Sequence, residues 1–215
     1  RHHLVTFRGL YGFKDEELTD GNWRELNEAI VERGQDREWY HHVLKDRCNI
    51  QTGILNVDPF EPTFEPEYAT PSVRMEKWLR LCEKPMVEKI AEFTNSAIID
   101  LRSLQDAMER ALQRYKEQGA VAIKSAHAYG RTLLHERPST QTVERLFRKT
   151  LKGEELAPPD RKRFEDFIVF WLAEKAGELG LVFQIHCGMQ TNWGHIPDSD
   201  PLHLCNLLGH ARNTK

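Results

Sequence analysis

The sequence predicts an α/β fold organised around parallel strands. Two short apolar runs, at residues 120–123 and 181–185, each come directly after an amphipathic helix that ends in glycine. A helix followed at once by an apolar strand, repeated along the chain, is typical of parallel strands joined by helical crossovers. Because both runs are almost wholly apolar, we expect both faces of the sheet to be covered.

The N-terminal part is predicted to be mostly helical. Residues 1–18 give few cues and indicate a loop or a short helix, whereas Asp20 and Asp36 can each cap an amphipathic helix. Two tightly joined helices of this kind form an αα-hairpin. We interpret residues 19–48 as a helical insertion or cap within a single domain that spans residues 1–215.

The middle of the chain predicts strands, a long loop and two helices. The strands are expected at residues 50–57 and 72–78, with a Pro- and Glu-rich loop at residues 60–71. Pro85 can open the first helix. From Ser103 onward, apolar residues recur at helical spacing until Gly119, which predicts the second helix.

The alternation of helix and strand continues in the last third. Ser139 can cap one helix, and Pro158 can open a longer one that ends at Gly180. The strand at residues 181–187 follows, and Pro201 suits the first turn of a final helix. That helix is expected to bury one stripe of residues, Leu202, Cys205 and Leu208.

Composition and charge exclude several classes of protein. The 215-residue chain has a net charge of −3, with basic and acidic residues interspersed, so nucleic-acid binding is not indicated. No run of about 18 apolar residues occurs, so we expect no membrane span. The four cysteines show no CxxC spacing, which indicates reduced thiols in a cytoplasmic protein. A small-molecule substrate fits these limits, and a homo-oligomer stays open.

The two ends of the sequence predict a longer protein. The chain begins at Arg1 without a methionine, and it ends at Lys215 directly after a predicted helix, where a strand is expected next. We therefore expect this chain to be an internal part of a larger polypeptide.

Two chemically capable side chains lie near the ends of the apolar runs. Side chains alternate along a strand, so Ala122 and Lys124 share one face, as do Gln184 and His186. Parallel strands bring Lys124 and His186 to the same edge of the sheet, where catalytic groups of α/β enzymes lie. A neutral imidazole can bind zinc or manganese, and a lysine can hold a substrate anion or, if carbamylated, bind metal.

The pattern alone leaves structural roles open for both residues. A single histidine at a strand end is commonly a hydrogen-bonded structural residue, and a lysine there is commonly solvated. No HxH or HExxH pair occurs, because His2-His3 and His41-His42 are adjacent pairs whose side chains diverge. The residues by themselves indicate an α/β enzyme without naming its reaction.

Three segments resemble a known superfamily. The sequence FQIHCG at residues 183–188, followed by DPLHL at residues 200–204, resembles the fifth-strand region of the amidohydrolase superfamily. The resemblance is to the amidohydrolase-2 group, of the nodulin and glutamine-synthetase-fusion type. The sequence AIKSAHAYGR at residues 122–131 is similar to that group's fourth-strand segment, and residues 19–54 are similar to its helical insertion.

The resemblance implies a (β/α)8 TIM-like barrel of the metallo-dependent hydrolase type, of which this chain is a partial barrel covering about strands 2–5. It implies that His186 is the strand-five metal ligand and that Lys124 and His186 are catalytic. It also implies four substrate contacts or active-site neighbours, Tyr129, Arg131, Gln184 and His127. The family's HxH pair and its sixth- and eighth-strand ligands are not in this chain.

The resemblance also implies a reaction and its cofactor. We expect a metal-dependent hydrolase in which a divalent metal, zinc or else manganese, activates water to attack an amide, ester or lactone carbon of a small anionic substrate. A uronate-isomerase-like sugar-acid isomerase or a non-oxidative decarboxylase is the alternative on the same fold. A catalytically silent barrel acting as a binding protein is a third hypothesis.

Overall fold

The computed structural model describes residues 2–64, 67–189 and 196–210, and the chain divides into two compact units. The first unit comprises Arg1–Gly53 and Pro66–Tyr68, and the second comprises Ile54–Glu65 and Ala69–Lys215. The helical segment at residues 19–48 lies in the first unit. Its interpretation as an insertion within one domain stays a prediction.

The first unit is helical, with α1 at His2–Tyr11, α2 at Trp23–Gly34 and α3 at Arg37–His41, which continues as a π-helical turn at His42–Arg47. Asp36 caps α3 as predicted, because its side chain accepts a hydrogen bond from the Glu38 amide. Asp20 does not cap α2. The residue before α2 is Asn22, whose side-chain oxygen instead accepts from the Thr19 amide.

The rest of the chain alternates strands and helices. The strands are β1 at Gly53–Val57, β2 at Ala69–Arg74, β3 at Ala122–Ser125 and β4 at Val182–Ile185. The helices are α4 at Glu76–Leu79, α5 at Lys84–Thr94, α6 at Leu101–Glu117, α7 at Thr140–Leu151, α8 at Pro158–Leu179 and α9 at Cys205–Leu208. Short 3-10 turns lie at Arg80–Cys82, His127–Tyr129, Ile196–Ser199 and Pro201–Leu204.

The strands form one sheet in the order β1-β2-β3-β4, in which β2, β3 and β4 are parallel. The predicted α/β fold with a parallel sheet is therefore confirmed. Arg74 of β2 is opposite Lys124 of β3, and Lys124 is opposite Gln184 of β4. This register aligns the three strand ends at one edge, which we call the carboxyl edge.

Local sequence signals set the helix ends that precede each strand. Ser139 caps α7 by accepting from the Thr142 amide, as predicted. Helix α8 begins at Pro158 and ends at Leu179, just before Gly180, whose φ of 68° favours glycine. Helix α6 begins two residues before the predicted Ser103, because Asp100 and Ser103 form a reciprocal capping box.

The hydrophobic core lies on one face of the sheet. Val73, Ile123 and Phe183 share a row of that face, and they pack with buried residues of α6 and α8 such as Met108 and Ile168. The expectation that both faces are covered at β4 is wrong. On the opposite face, Val182 is 61% exposed, because β4 is an edge strand of the described sheet and the core lies on the other side.

Two strands in the middle of the chain have different ends from the predicted ones. The strand expected at residues 50–57 begins at Gly53, and the one expected at residues 72–78 is β2, which ends at Arg74. The following residues form α4 because the buried Trp78 joins the core.

The final helix buries a different stripe from the predicted one. Leu202, Cys205 and Leu208 are exposed, whereas Leu204 and Leu207 are buried. The segment begins as a 3-10 turn with three residues per turn, which rotates the faces relative to an α-helix. In the part of the chain that the structure describes, no helix is long and apolar enough to cross a membrane.

Candidate active site at the carboxyl edge of the sheet

A pocket of about 390 Å³ lies at the carboxyl edge, and we call it the rim pocket. It is lined by Asn56, Arg74, Lys124, Ala126, Tyr129 and His186. Lys124 and His186, predicted to meet at this edge, do line one pocket together. Their assignment as catalytic residues, and that of His186 as a metal ligand, stays a prediction.

The sheet ladder positions these side chains. Beyond the paired strand residues, the Met75 amide donates to the Lys124 carbonyl at 2.8 Å, and the His186 amide donates to the Ser125 carbonyl at 2.9 Å. The backbone of His186 is therefore held by the sheet although it lies one residue past β4. Groups fixed on strands are more rigid than groups on loops, which suits a binding site.

The rim pocket contains two cationic side chains that differ in their pairing. Arg74 forms an ion pair with Glu76, with 3.0 Å between Nη2 and Oε1. Lys124 is half-buried, and no residue within the described ranges gives its ammonium group an ion pair or hydrogen bond. An ammonium without a counter-ion among the described residues, beside a low-dielectric sheet, attracts anions, so the pocket favours a negatively charged ligand.

The His186 ring is fixed by two contacts. Its Nε2 lies 2.9 Å from the Met189 carbonyl oxygen, and its ring stacks on Tyr129 with 4.7 Å between centroids. A carbonyl can only accept, so Nε2 carries the proton in the neutral ring and Nδ1 keeps its lone pair. That lone pair can accept a hydrogen bond from a ligand hydroxyl or bind a metal ion.

Gln184 lies on β4 in the same row as Lys124, two residues before His186. Ser72 Oγ donates to Gln184 Oε1 at 3.4 Å, so the amide is oriented across the sheet. Its side chain is exposed on the face away from the core and does not line the rim pocket. Its predicted contact with substrate stays a prediction.

Arg131 is turned away from the rim pocket. Its Nη1 donates to Glu165 at 3.1 Å and its Nη2 donates to Asp166, and the side chain is 13% exposed. It lines a neighbouring cavity of about 640 Å³, which shares Arg74, Ala126 and Tyr129 with the rim pocket. Its guanidinium is committed to these two carboxylates, and its role as a substrate contact stays a prediction.

His127 is buried and forms a pair with His135, which sequence reasoning did not single out. Their Nε2 atoms are 3.0 Å apart, and His127 Nδ1 lies 2.7 Å from Ser125 Oγ. Burial, followed by nearby positive charge such as that of Arg131, lowers the pKa of each histidine to about 3. Both rings are therefore neutral at pH 7, and His127 borders the larger cavity rather than the rim pocket.

Sequence reasoning also missed Asn56 and Arg74, which line the rim pocket from β1 and β2. The alternation of side chains along each strand could have indicated them. Arg74 lies two residues after Ser72 at the end of a strand, as Lys124 lies two residues after Ala122. The predicted strand at residues 72–78 ran past Arg74 and concealed this end position.

The described residues do not form a metal site by themselves. Across residues 2–64, 67–189 and 196–210, no group of three or more His, Cys, Asp or Glu side chains could hold a metal ion. At the rim pocket, His186 is the one imidazole among the described lining residues. A metal site needs at least three protein ligands in the usual zinc enzymes, so the described residues do not complete one, and His186 is the candidate they offer at the rim pocket.

Comparison with known proteins identifies a family of isomerases. The family model for glucuronate isomerase matches residues 35–195. A uronate isomerase of Caldanaerobacter subterraneus is 23% identical over 203 residues, which cover 88% of this chain and 42% of the relative. A uronate isomerase of Shouchella clausii is 30% identical over 108 residues, which cover 50% of this chain and 22% of the relative. The chain thus spans less than half the length of these relatives.

Solved structures support the barrel fold. The uronate isomerase of Thermotoga maritima has a TM-score of 0.73 at 15% identity. The match covers 95% of this chain and 50% of the solved chain. The glucuronate isomerase of Caulobacter crescentus has a TM-score of 0.74 at 21% identity, with coverages of 96% and 48%. A putative metal-dependent hydrolase of Lactobacillus casei has a TM-score of 0.54 at 14% identity, with coverages of 80% and 45%. The predicted TIM-like partial barrel is confirmed at this level.

The expectation of a hydrolase is wrong. The matching family model and the curated relatives are isomerases, so the sugar-acid isomerase alternative is the better supported one. The predicted membership of the amidohydrolase superfamily is confirmed, but the nodulin type has no support. The strand-end motifs belong to the shared barrel, and a shared fold does not fix the reaction.

We predict that the buried pair makes stability depend on acid pH. Below pH 6.5 the unfolded chain protonates both histidines, whereas the folded chain keeps them neutral down to about pH 3. Stability should therefore be full above pH 6.5 and fall as pH decreases towards 3. In thermal unfolding between pH 7.5 and 4.5, His135→Gln should show a shallower loss of Tm than the wild type, with the exposed His2→Gln as control. Equal slopes for all three proteins would contradict a neutral buried pair.

Proposed function

The chain belongs to the glucuronate isomerase family, and from that premise we propose that the complete protein interconverts the aldose and ketose forms of a hexuronate. The observation that carries this proposal is the family match over residues 35–195, three quarters of the 215-residue chain. The rim pocket supports it, because the pocket combines a cation that no described residue pairs with and hydrogen-bonding groups suited to a small acidic sugar.

The reaction moves hydrogen between adjacent carbons without hydrolysis. In the aldose-to-ketose direction, C2 loses a hydrogen and C1 gains one, while the hydroxyl proton of O2 is replaced by one on O1. The carboxylate at C6 takes no part in these bond changes. It is therefore available as a permanent negative charge by which the enzyme can orient the sugar.

Lys124 and Arg74 are the groups that we assign to this carboxylate. Both line the rim pocket, and Lys124 has no counter-ion among the described residues. Charge-assisted hydrogen bonds to a carboxylate are about twice as strong as neutral ones, so an incoming carboxylate gains more here than a neutral group would. The partial burial of Lys124 strengthens this preference.

Tyr129, Asn56 and His186 surround the remaining space of the rim pocket. The Tyr129 ring packs on the His186 imidazole and fixes its orientation. The Nδ1 lone pair of His186 and the Asn56 amide can then hydrogen-bond sugar hydroxyls. These contacts orient the sugar ring or open chain relative to the carboxylate anchor.

A divalent metal remains part of the proposal for the complete protein. When bound, such an ion polarises carbonyl and hydroxyl oxygens as a Lewis acid. The described residues supply His186 as a single candidate ligand, so no step of the reaction is assigned to the metal here. Zinc, rather than another divalent ion, stays a prediction.

We predict that the complete protein converts glucuronate into its ketose. Proton NMR of the incubated sugar should show loss of the aldose anomeric signals and growth of ketose signals, whereas glucose, which lacks the carboxylate, should remain unchanged. Binding of glucuronate without any conversion would favour the catalytically silent binding protein. Neither binding nor conversion of any hexuronate would remove the proposed function.

Replacing Lys124 tests the carboxylate anchor. We expect Lys124→Met to raise KM for glucuronate about 10- to 100-fold, because a hydrogen bond to a charged group contributes about 1.5–3 kcal/mol. Lys124→Arg should retain part of the affinity, and Lys149→Met, on the exposed face of α7, should behave as wild type. A KM unchanged in Lys124→Met would exclude this lysine from substrate binding.

Replacing His186 tests the proposed metal ligand. We expect the complete His186→Ala protein to bind divalent metal more than about tenfold more weakly, because even groups that only orient a ligand contribute about 10- to 100-fold. Elemental analysis after dialysis gives the bound metal per chain, with His203→Ala as the matched control. Wild-type metal content in His186→Ala would assign the imidazole to hydrogen bonding alone.

A further inference from the structure

We infer that Asp166 is a positioning residue of the proposed isomerase, which fixes the segment carrying Tyr129 at the rim pocket through Arg131. The inference rests on the proposed function for its catalytic consequence and on geometry for its structural part. Asp166 lies on α8, outside the rim pocket, and its side chain is 1% exposed. It therefore acts on a ligand only through the residues that it holds.

The Asp166 carboxylate holds one connection at its middle and at its far end. Its Oδ1 accepts from Arg131 Nη2, and its Oδ2 accepts from the Glu136 backbone amide at 3.1 Å and from Lys162 Nζ at 2.7 Å. Arg131 and Glu136 lie within the segment at residues 126–136 that joins β3 to the start of the next helical region. One buried side chain thus ties this connection to α8 at two points.

The segment starts with a compact turn that links Arg131 to Tyr129. The Arg131 and Gly130 amides donate to the His127 carbonyl at 3.1 and 3.0 Å, and the Tyr129 amide donates to the Ala126 carbonyl at 3.1 Å. Arg131 is therefore anchored at its backbone to the same turn that presents Tyr129. A displacement of the Arg131 side chain is transmitted to the ring that stacks on His186.

The charged groups around Asp166 depend on its carboxylate. Arg131 is also paired with Glu165, whose pKa is raised mainly by burial. Without Asp166, Arg131 and Lys162 would lose a shared buried counter-charge, and the Glu136 amide would lose its acceptor. Among the described residues, Arg131 would keep only Glu165 as a counter-ion. Removing the buried one of two carboxylates from a guanidinium is unfavourable, so the segment is expected to move until water reaches it.

The first test is independent of activity. Hydrogen exchange of the complete protein should be at least about tenfold faster at residues 126–136 in Asp166→Asn than in the wild type, while residues 101–117 of α6 remain unchanged. Glu178→Gln, which removes an ion-paired carboxylate from the other end of α8, is the matched control. If Asp166→Asn does not fold, Arg131→Gln breaks the same tie from the other side. Unchanged exchange in the folded variant overturns the inference.

The second test separates positioning from a general loss of stability. We expect Asp166→Asn to lower kcat/KM for glucuronate about 100-fold, the size of effect that a displacement of about 1 Å produces. In a Tyr129→Ala background the same substitution should lower it less than about threefold, because its path to the pocket is already removed. A full and independent loss in both backgrounds would mean that Asp166 is only structural. An inactive wild type would reject the proposed isomerase, whereas the exchange result would still decide whether Asp166 fixes the segment.

Discussion

The register of three parallel strands is the constraint on which the rest of the site depends. Arg74, Lys124 and Gln184 lie opposite one another, and their neighbours Val73, Ile123 and Phe183 form the corresponding row on the core side. A slip of one residue would exchange these rows. It would bury a lysine among α6 and α8 and expose isoleucine at the pocket, so core packing and the charge of the rim pocket are fixed together.

The parts of this structure that follow from local sequence were predictable. The cap at Ser139, the helix end at Gly180 and the apolar runs of β3 and β4 each depend on a few adjacent residues. The meeting of Lys124 and His186 follows from alternation along parallel strands. That prediction needed only the two-residue period of a strand and the rule that a helical crossover leads to a parallel strand.

Features that depend on distant pairing were not predictable. The resemblance of residues 122–131 implied that Arg131 contacts substrate. Its partners Glu165 and Asp166, however, lie 34 and 35 residues further along the chain. The pairing of His127 with His135 likewise needs the turn between them. The reaction escaped prediction for another reason, since strand-end motifs describe a barrel rim that hydrolases and isomerases share. The longer family pattern at residues 35–195 distinguishes them.

The stacking of Tyr129 on His186 also gives the rim pocket its own spectroscopic signal. With ring centroids 4.7 Å apart and planes inclined by 28°, the imidazole protons lie in the shielding region of the phenol ring. Their resonances should therefore be shifted upfield by ring current, by an amount that depends steeply on the separation. A sugar that enters between the rings, or a movement that parts them, would change that shift without any added label.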